Sequence, residues 1–190
     1  MIFCFATNNA HKLEEIQALL GGAFVLKTLS DVGCHEDIAE TADTIEGNSL
    51  IKAQYVWDNY QINCFADDSG LEVAALNGAP GVHSARYSGI RDYATNNQLL
   101  LKNLADITNR RARFKTVITL IINGQAWQFE GTVEGQIIET PRGTQGFGYD
   151  PLFVPTGHTR TFAELTLPEK SQISHRARAF EQLVAFLSKQ

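Results

Sequence analysis

The sequence predicts an α/β fold built on a mixed sheet. Three observations predict it: strands and helices alternate over residues 2–66, a β-hairpin turns at residues 123–124, and the chain closes on an amphipathic helix. Ile2 to Ala6 is an apolar run rich in strand formers, ended by the turn-favouring pair Asn8-Asn9. Leu13, Ile16, Leu19 and Leu20 then form one stripe of a helix, which Gly21-Gly22 stops. Phe24 to Leu29 reads as a second strand, and Leu50, Ala53, Val56, Trp57 and Tyr60 mark a second helix. Asn63 to Ala66 reads as a short strand running into a turn at Asp67-Asp68-Ser69-Gly70.

Gly78 to Gly89 is a loop of glycine and small polar residues, and Tyr93 to Leu104 is helical, with Leu99, Leu100 and Leu104 on one side. Phe114 to Ile122 alternates up to Asn123-Gly124, and Ala126 to Val133 returns, the preferred type I′ hairpin. Gly143 to Tyr149 is a second glycine-rich loop. From Pro168 the pattern turns helical, with Phe180, Leu183, Val184 and Leu187 spaced for one buried face. No repeat or linker interrupts the chain, so residues 1–190 read as a single domain.

Sixteen Lys and Arg oppose 21 Asp and Glu, a formal net charge of −5. A basic nucleic-acid module shows a pI above about 9; the pI of 5.5 excludes a nucleic-acid polymer as the expected partner. Asp31, Glu36, Asp37, Glu40, Asp43 and Glu46 fall between residues 31 and 50, which hold no Lys or Arg, and the rest of the chain is nearly balanced. Cys4, Cys34 and Cys64 lack CxxC spacing and read as buried free thiols. The start lacks a signal-peptide pattern and no apolar run reaches the 18 or so residues of a membrane span, so a cytoplasmic protein is expected.

Four segments carry candidate chemistry. Thr7-Asn8-Asn9-Ala10-His11-Lys12 lies at a strand–helix junction; it fits an Asn-capped helix with a surface lysine, or a phosphate held on helix N–H groups and Lys12. In Asp67-Asp68-Ser69-Gly70 the neighbouring aspartates point to opposite faces. One can face a metal while the other bonds backbone in the turn; a carboxylate beside a nucleotide phosphate implies an intervening Mg²⁺. In Gly146-Phe147-Gly148-Tyr149-Asp150-Pro151 the glycines admit a flat ligand, Phe147 offers a stacking face, and Asp150 can accept from a ring N–H; the alternative is a tight loop plugging the core. Lys170, His175 and Arg176 cluster near the start of the last helix, where Ser174 can cap it. Cations there work against the helix dipole, and a bound anion or carbonyl-rich ligand offsets that cost.

Taken together, TNNAHK, GNSLIKA, ADDSGLEV, GAPGVHSARYSG, GFGYDP and EKSQISHRA stand in order along nearly the whole chain. The sequence thereby resembles the inosine triphosphate pyrophosphatase family, the non-canonical purine nucleoside triphosphate pyrophosphatases. The resemblance implies a two-lobed unit around an elongated mixed sheet, a homodimer, Mg²⁺ dependence, and hydrolysis of ITP, dITP and XTP to the monophosphate and pyrophosphate. By that likeness Thr7, Asn8, Asn9, Ala10, His11 and Lys12 hold the triphosphate. Asp68 binds the metal and accepts the proton, and Ser69 contacts substrate. Phe147 stacks on the base, Gly148, Tyr149 and Asp150 complete its wall, and Lys170, His175 and Arg176 read its edge. The family often carries a metal-binding Glu directly before the Asn of the helix motif; here Gly47 takes that place and Glu46 precedes it.

The mechanism implied is metal-assisted attack of water on the α-phosphorus, with Asp68 as base and Lys12 stabilising charge. Donors from His175 or Arg176 favour a 6-keto oxygen and leave adenine's amino group unmatched. Two other readings stay open on sequence: a nucleotide-binding module without turnover, and a phosphohydrolase of different base preference.

Overall fold

In the computed structural model, residues 1–20, 22 and 24–189 are described; Gly21 of the predicted helix stop lies outside them. The elements run β1 (Ile2–Phe5), α1 (Ala10–Leu20), β2 (Val25–Lys27), α2 (Ile45–Tyr60), β3 (Cys64–Val73), α3 (Tyr93–Asn103), β4 (Arg111–Ile122), β5 (Gln125–Ile137), β6 (Phe153–Pro155), α4 (Leu167–Ser171) and α5 (His175–Leu187). One sheet holds all six strands in the order β2-β1-β3-β4-β5-β6. β1 is parallel to β2 and β3, and β5 is antiparallel to β6, so the sheet is mixed as the sequence predicts. No helix among the described residues is long and apolar enough to cross a membrane.

The chain forms two compact units, residues 1–68, 116–131 and 176–190 in the first and 69–115 and 132–175 in the second, so β3, β4 and β5 divide their lengths between them. In the first unit, β1 is buried on both faces. Phe3 and Phe5 pack with Ile16, Phe65, Phe180 and Leu183, while Cys4 and Ala6 pack with Ala53, Val56 and Cys64; period-two alternation sends them to opposite sides. The register sets Cys4 opposite Cys64 and Phe5 opposite Phe65. The chain that leaves β1 at Thr7 therefore runs alongside Asp67. α2 is capped by Thr44, whose hydroxyl accepts from the Gly47 N–H. It buries Ser49, Lys52, Ala53 and Val56, whereas Leu50 of the predicted stripe is exposed.

In the second unit, Leu71, Val73, Leu100, Leu104, Phe114, Val133, Phe153 and Phe162 form the core. Asn123 and Gly124 both have positive φ, the backbone a type I′ hairpin requires, and the hairpin strands extend beyond the predicted limits at Phe114 and Val133. Two further differences concern the site. The predicted turn at Asp67-Asp68-Ser69-Gly70 is the middle of the ten-residue strand β3. The predicted C-terminal helix is two helices, with Lys170 in α4 and His175 and Arg176 opening α5. Thr166 and Glu169 close a capping box that starts α4 as an independent turn.

Candidate active site

The first unit gathers a buried chain of charges. Asp67 is fully buried; its Oδ1 accepts from Lys12 Nζ at 3.0 Å and its Oδ2 from Arg176 Nε at 3.0 Å. Arg176, 1% exposed, also pairs with the buried Glu15 of α1. Burial alone would raise the Asp67 pKa, yet Lys12 and Arg176 outweigh it and hold the carboxyl below the ordinary range. Burial likewise opposes the Arg176 charge, and Glu15 and Asp67 overcome it. Lys12 is the weak member: burial lowers its pKa despite the pull of Asp67.

Asp68 points the other way along the strand and meets Lys52 of α2, Oδ1 to Nζ 3.3 Å. Lys52 Nζ also reaches Glu40 Oε1 at 2.8 Å, so one ammonium holds two carboxylates. Burial raises the Asp68 pKa, against the opposing influence of Lys52 and Lys12. Lys52 stays charged, because Asp68 and Glu40 more than offset its desolvation.

At the N-terminus of α1, Asn9 Oδ1 accepts from the His11 and Lys12 N–H groups at 3.0 and 3.3 Å, and the Asn9 N–H donates to Thr7 Oγ1 at 3.2 Å. Asn9 is thus the cap that the sequence offered as one alternative, but Lys12 is no surface lysine. Asn8 and Ala10 are exposed, and exposed His11 stands 3.8 Å from Glu14. Ser69 is half-buried in β3.

The second unit holds the aromatic and basic residues. Asp150 Oδ2 accepts from Lys170 Nζ at 2.6 Å and from the Phe147 N–H at 2.9 Å, both carboxylate and ammonium being buried. Lys170 Nζ sits 5.2 Å from the centroid of the Phe147 ring, a cation–π distance. A Cβ at Gly146 would come within 2.1 Å of Asp150 Oδ2, so only glycine, at φ +71°, lets the carboxylate fold under the loop. The Tyr149 hydroxyl donates to the Ser84 carbonyl at 2.9 Å. His175 stacks on Phe114, with ring centroids 4.7 Å apart and planes 9° from parallel.

The predicted site residues therefore fall into two groups. Lys12, Asp68 and Arg176 belong to the first, and Phe147, Gly148, Tyr149, Asp150, Lys170 and His175 to the second. Arg176 joins Asp67 and Glu15, not the Lys170–Asp150 pair beside which its sequence neighbour His175 is counted. Asp150, expected to accept from a ligand, already accepts from Lys170 and Phe147. Sequence reasoning missed Glu15 and Glu40 as members of the charge chain. The available signal was a Glu three residues after Lys12, on the same helical face.

These residues suit a divalent cation. Among the described residues no three His, Cys, Asp or Glu side chains close on one point, but Mg²⁺ commonly takes only one or two carboxylates, with phosphate and water completing its shell. Asp68 and Glu40 supply an oxygen-only pair of that kind, already gathered by Lys52. Gly47 is closed to a side chain: a Cβ there would meet the Ala42 Cβ at 2.6 Å and Thr44 Oγ1 at 3.0 Å.

The Ham1 family model matches residues 3–186. The dITP/XTP pyrophosphatase of Flavobacterium psychrophilum is 52% identical over 187 residues, 98% of each chain. That of Porphyromonas gingivalis is 53% identical over 185 residues, covering 96% of this chain and 95% of the relative. The Staphylococcus aureus Ham1 protein superposes with a TM-score of 0.90 at 37% identity, covering 100% of this chain and 99% of its own. The resemblance read from the motifs holds, and the chain belongs to the Ham1 family.

Proposed function

We propose that the protein hydrolyses non-canonical purine nucleoside triphosphates (ITP, dITP, XTP) to the monophosphate and pyrophosphate, removing them from the nucleotide pool. The observation that carries this reading is Asp68: a buried carboxylate, raised in pKa by its burial, sharing Lys52 with Glu40. The names of relatives more than half identical along nearly their full length support it.

Asp68 and Glu40 are the residues that would hold Mg²⁺, which supplies Lewis-acid neutralisation of phosphate charge when bound. Asp68 orients the attacking water and accepts its proton, a role favoured by a carboxyl pKa moved toward neutrality. Lys12 offers an ammonium to the phosphate oxygens; desolvation already destabilises its charge, so an arriving anion is favoured. The α1 N-terminus, shaped by Asn8, Asn9, Ala10 and His11, adds the positive end of the helix dipole for the same anion. Thr7 and Ser69 contribute hydroxyls. Asp67 holds Lys12 and Arg176 charged and fixed without touching substrate. Water attacks the α-phosphorus, the bond to the bridging oxygen breaks, and pyrophosphate leaves.

The base is assigned to the second unit. Phe147 provides the stacking face, Gly148, Tyr149 and Asp150 the wall, and Lys170 and His175 the donors, with Arg176 following His175 at the start of α5. Donors facing the 6-position select a keto oxygen over an amino group, leaving adenine with an unmatched contact worth about 1–3 kcal/mol. Product analysis tests the reaction: dITP yields dIMP and pyrophosphate in equal amounts. Release of orthophosphate with dIDP would overturn the assignment of the cleaved bond.

A further inference from the structure

The GFGYD loop of the second unit is tethered by three side chains, and one of them lies in no motif. Asp150 takes the Phe147 N–H, the Tyr149 hydroxyl reaches the Ser84 carbonyl, and the Asn97 amide nitrogen donates to the Gly148 carbonyl at 3.1 Å. Asn97 lies one turn along α3 from Tyr93, whose ring centroid is 6.1 Å from that of Phe147. Residues four apart share a helix face, so one face of α3 meets the loop at two points. The other end of the amide, Asn97 Oδ1, is buried without a hydrogen-bond partner among the described residues.

Gly148 has φ +64° and stands two residues from Gly146 at φ +71°, so the backbone here has little intrinsic preference for one peptide orientation. The Asn97 hydrogen bond supplies that preference. In a trans peptide the carbonyl and the following N–H point in opposite directions. With the Gly148 carbonyl turned to α3, the Tyr149 N–H is turned away from it.

We propose that Asn97 is a positioning residue for base selectivity: by fixing the Gly148–Tyr149 peptide, it presents the Tyr149 N–H as a donor to the carbonyl oxygen of a 6-oxopurine. A 6-aminopurine offers no acceptor at that atom. This rests on the assignment of the loop to the base.

Asn97→Leu removes the tether at similar volume, and Asn97→Gln retains an amide. Steady-state pyrophosphate release from dITP and dATP is measured alongside calorimetric titration with IMP and thermal unfolding. In Asn97→Leu the KM for dITP and the Kd for IMP rise about fivefold, as loss of one hydrogen bond predicts. The kcat stays within about twofold, the preference for dITP over dATP falls, and Asn97→Gln recovers part of the affinity. Unchanged KM, Kd and preference in Asn97→Leu overturn the proposal. So does an equal loss of kcat and affinity with a lowered melting temperature in both variants. If the wild type releases no pyrophosphate, the catalytic reading fails, and the IMP titration still decides the role of Asn97.

Discussion

Asp67 and Asp68 are consecutive residues of β3, yet they answer to different lysines: Asp67 accepts from Lys12 at 3.0 Å and Asp68 from Lys52 at 3.3 Å. Strand alternation separates their work. Asp67 is locked between two cations, whereas Asp68 shares the Lys52 ammonium with Glu40. Asp68→Asn lowers turnover of dITP by about 10²–10⁴-fold, the range for loss of a general base, with the fold and nucleotide binding retained. Near-normal turnover would remove Asp68 from that role.

Asp67→Asn acts on stability first. It leaves the buried Arg176 and the partly buried Lys12 against a neutral amide, and breaking a buried pair costs about 3–5 kcal/mol. Urea unfolding measures this; a loss comparable to that of Asp68→Asn would mean that the two carboxylates are not distinguished as described.

Gly47 cannot simply be exchanged for a glutamate. The Ala42 Cβ stands in the way, and Ala42 is pinned through its N–H, which donates to Asn48 Oδ1 at 2.9 Å. Gly47→Ala costs a net of about 1–2 kcal/mol, overpacking exceeding the gain in helix propensity. Gly47→Glu is destabilised similarly and turns over dITP no faster. A faster, equally stable Gly47→Glu would show that the loop from Glu40 to Thr44 yields readily.

Glu169 sits in the α4 capping box beside Arg160, and the Arg160 and Thr166 hydrogen bonds hold its pKa at about 2. Its folded pKa is depressed, so its contribution is present above the unfolded value of about 4.3 and fades as pH falls toward 2. The melting temperatures of the wild type and Glu169→Gln differ at pH 6, and the difference shrinks below about pH 4 until little of it is left at about pH 2. A constant difference would show that Glu169 acts by its shape, not its charge.

Cys4, Cys34 and Cys64 are buried in one apolar cluster, and burial pushes the Cys4 and Cys64 thiols up to about 12. At pH 8 the native protein therefore resists iodoacetamide at these residues and reacts at all three once unfolded. Mass spectrometry showing rapid native labelling would contradict their placement.

The hairpin was legible because Asn123-Gly124 encodes its turn locally, β1 because it is an apolar run of strand formers, and α1 from the period of its apolar stripe. The Asp67-Asp68-Ser69-Gly70 segment was not. Its composition favours a turn, and it remains extended because Lys12, Lys52 and Arg176, 55, 16 and 109 residues away along the chain, hold the carboxylates. Glu40 was hidden in an acidic stretch whose members look alike until Lys52 selects one. The grouping of Arg176 with His175 followed their adjacency. Successive helical residues project in different directions, which is how His175 stacks on Phe114 while Arg176 turns to Asp67.

Initial rates of pyrophosphate release from dITP, XTP, dATP and dGTP, each with Mg²⁺ and with EDTA, test the central claim most directly. Release from dITP and XTP at least about tenfold faster than from dATP, abolished by EDTA, is the predicted result. Equal rates on all four nucleotides, or release from none, would contradict it.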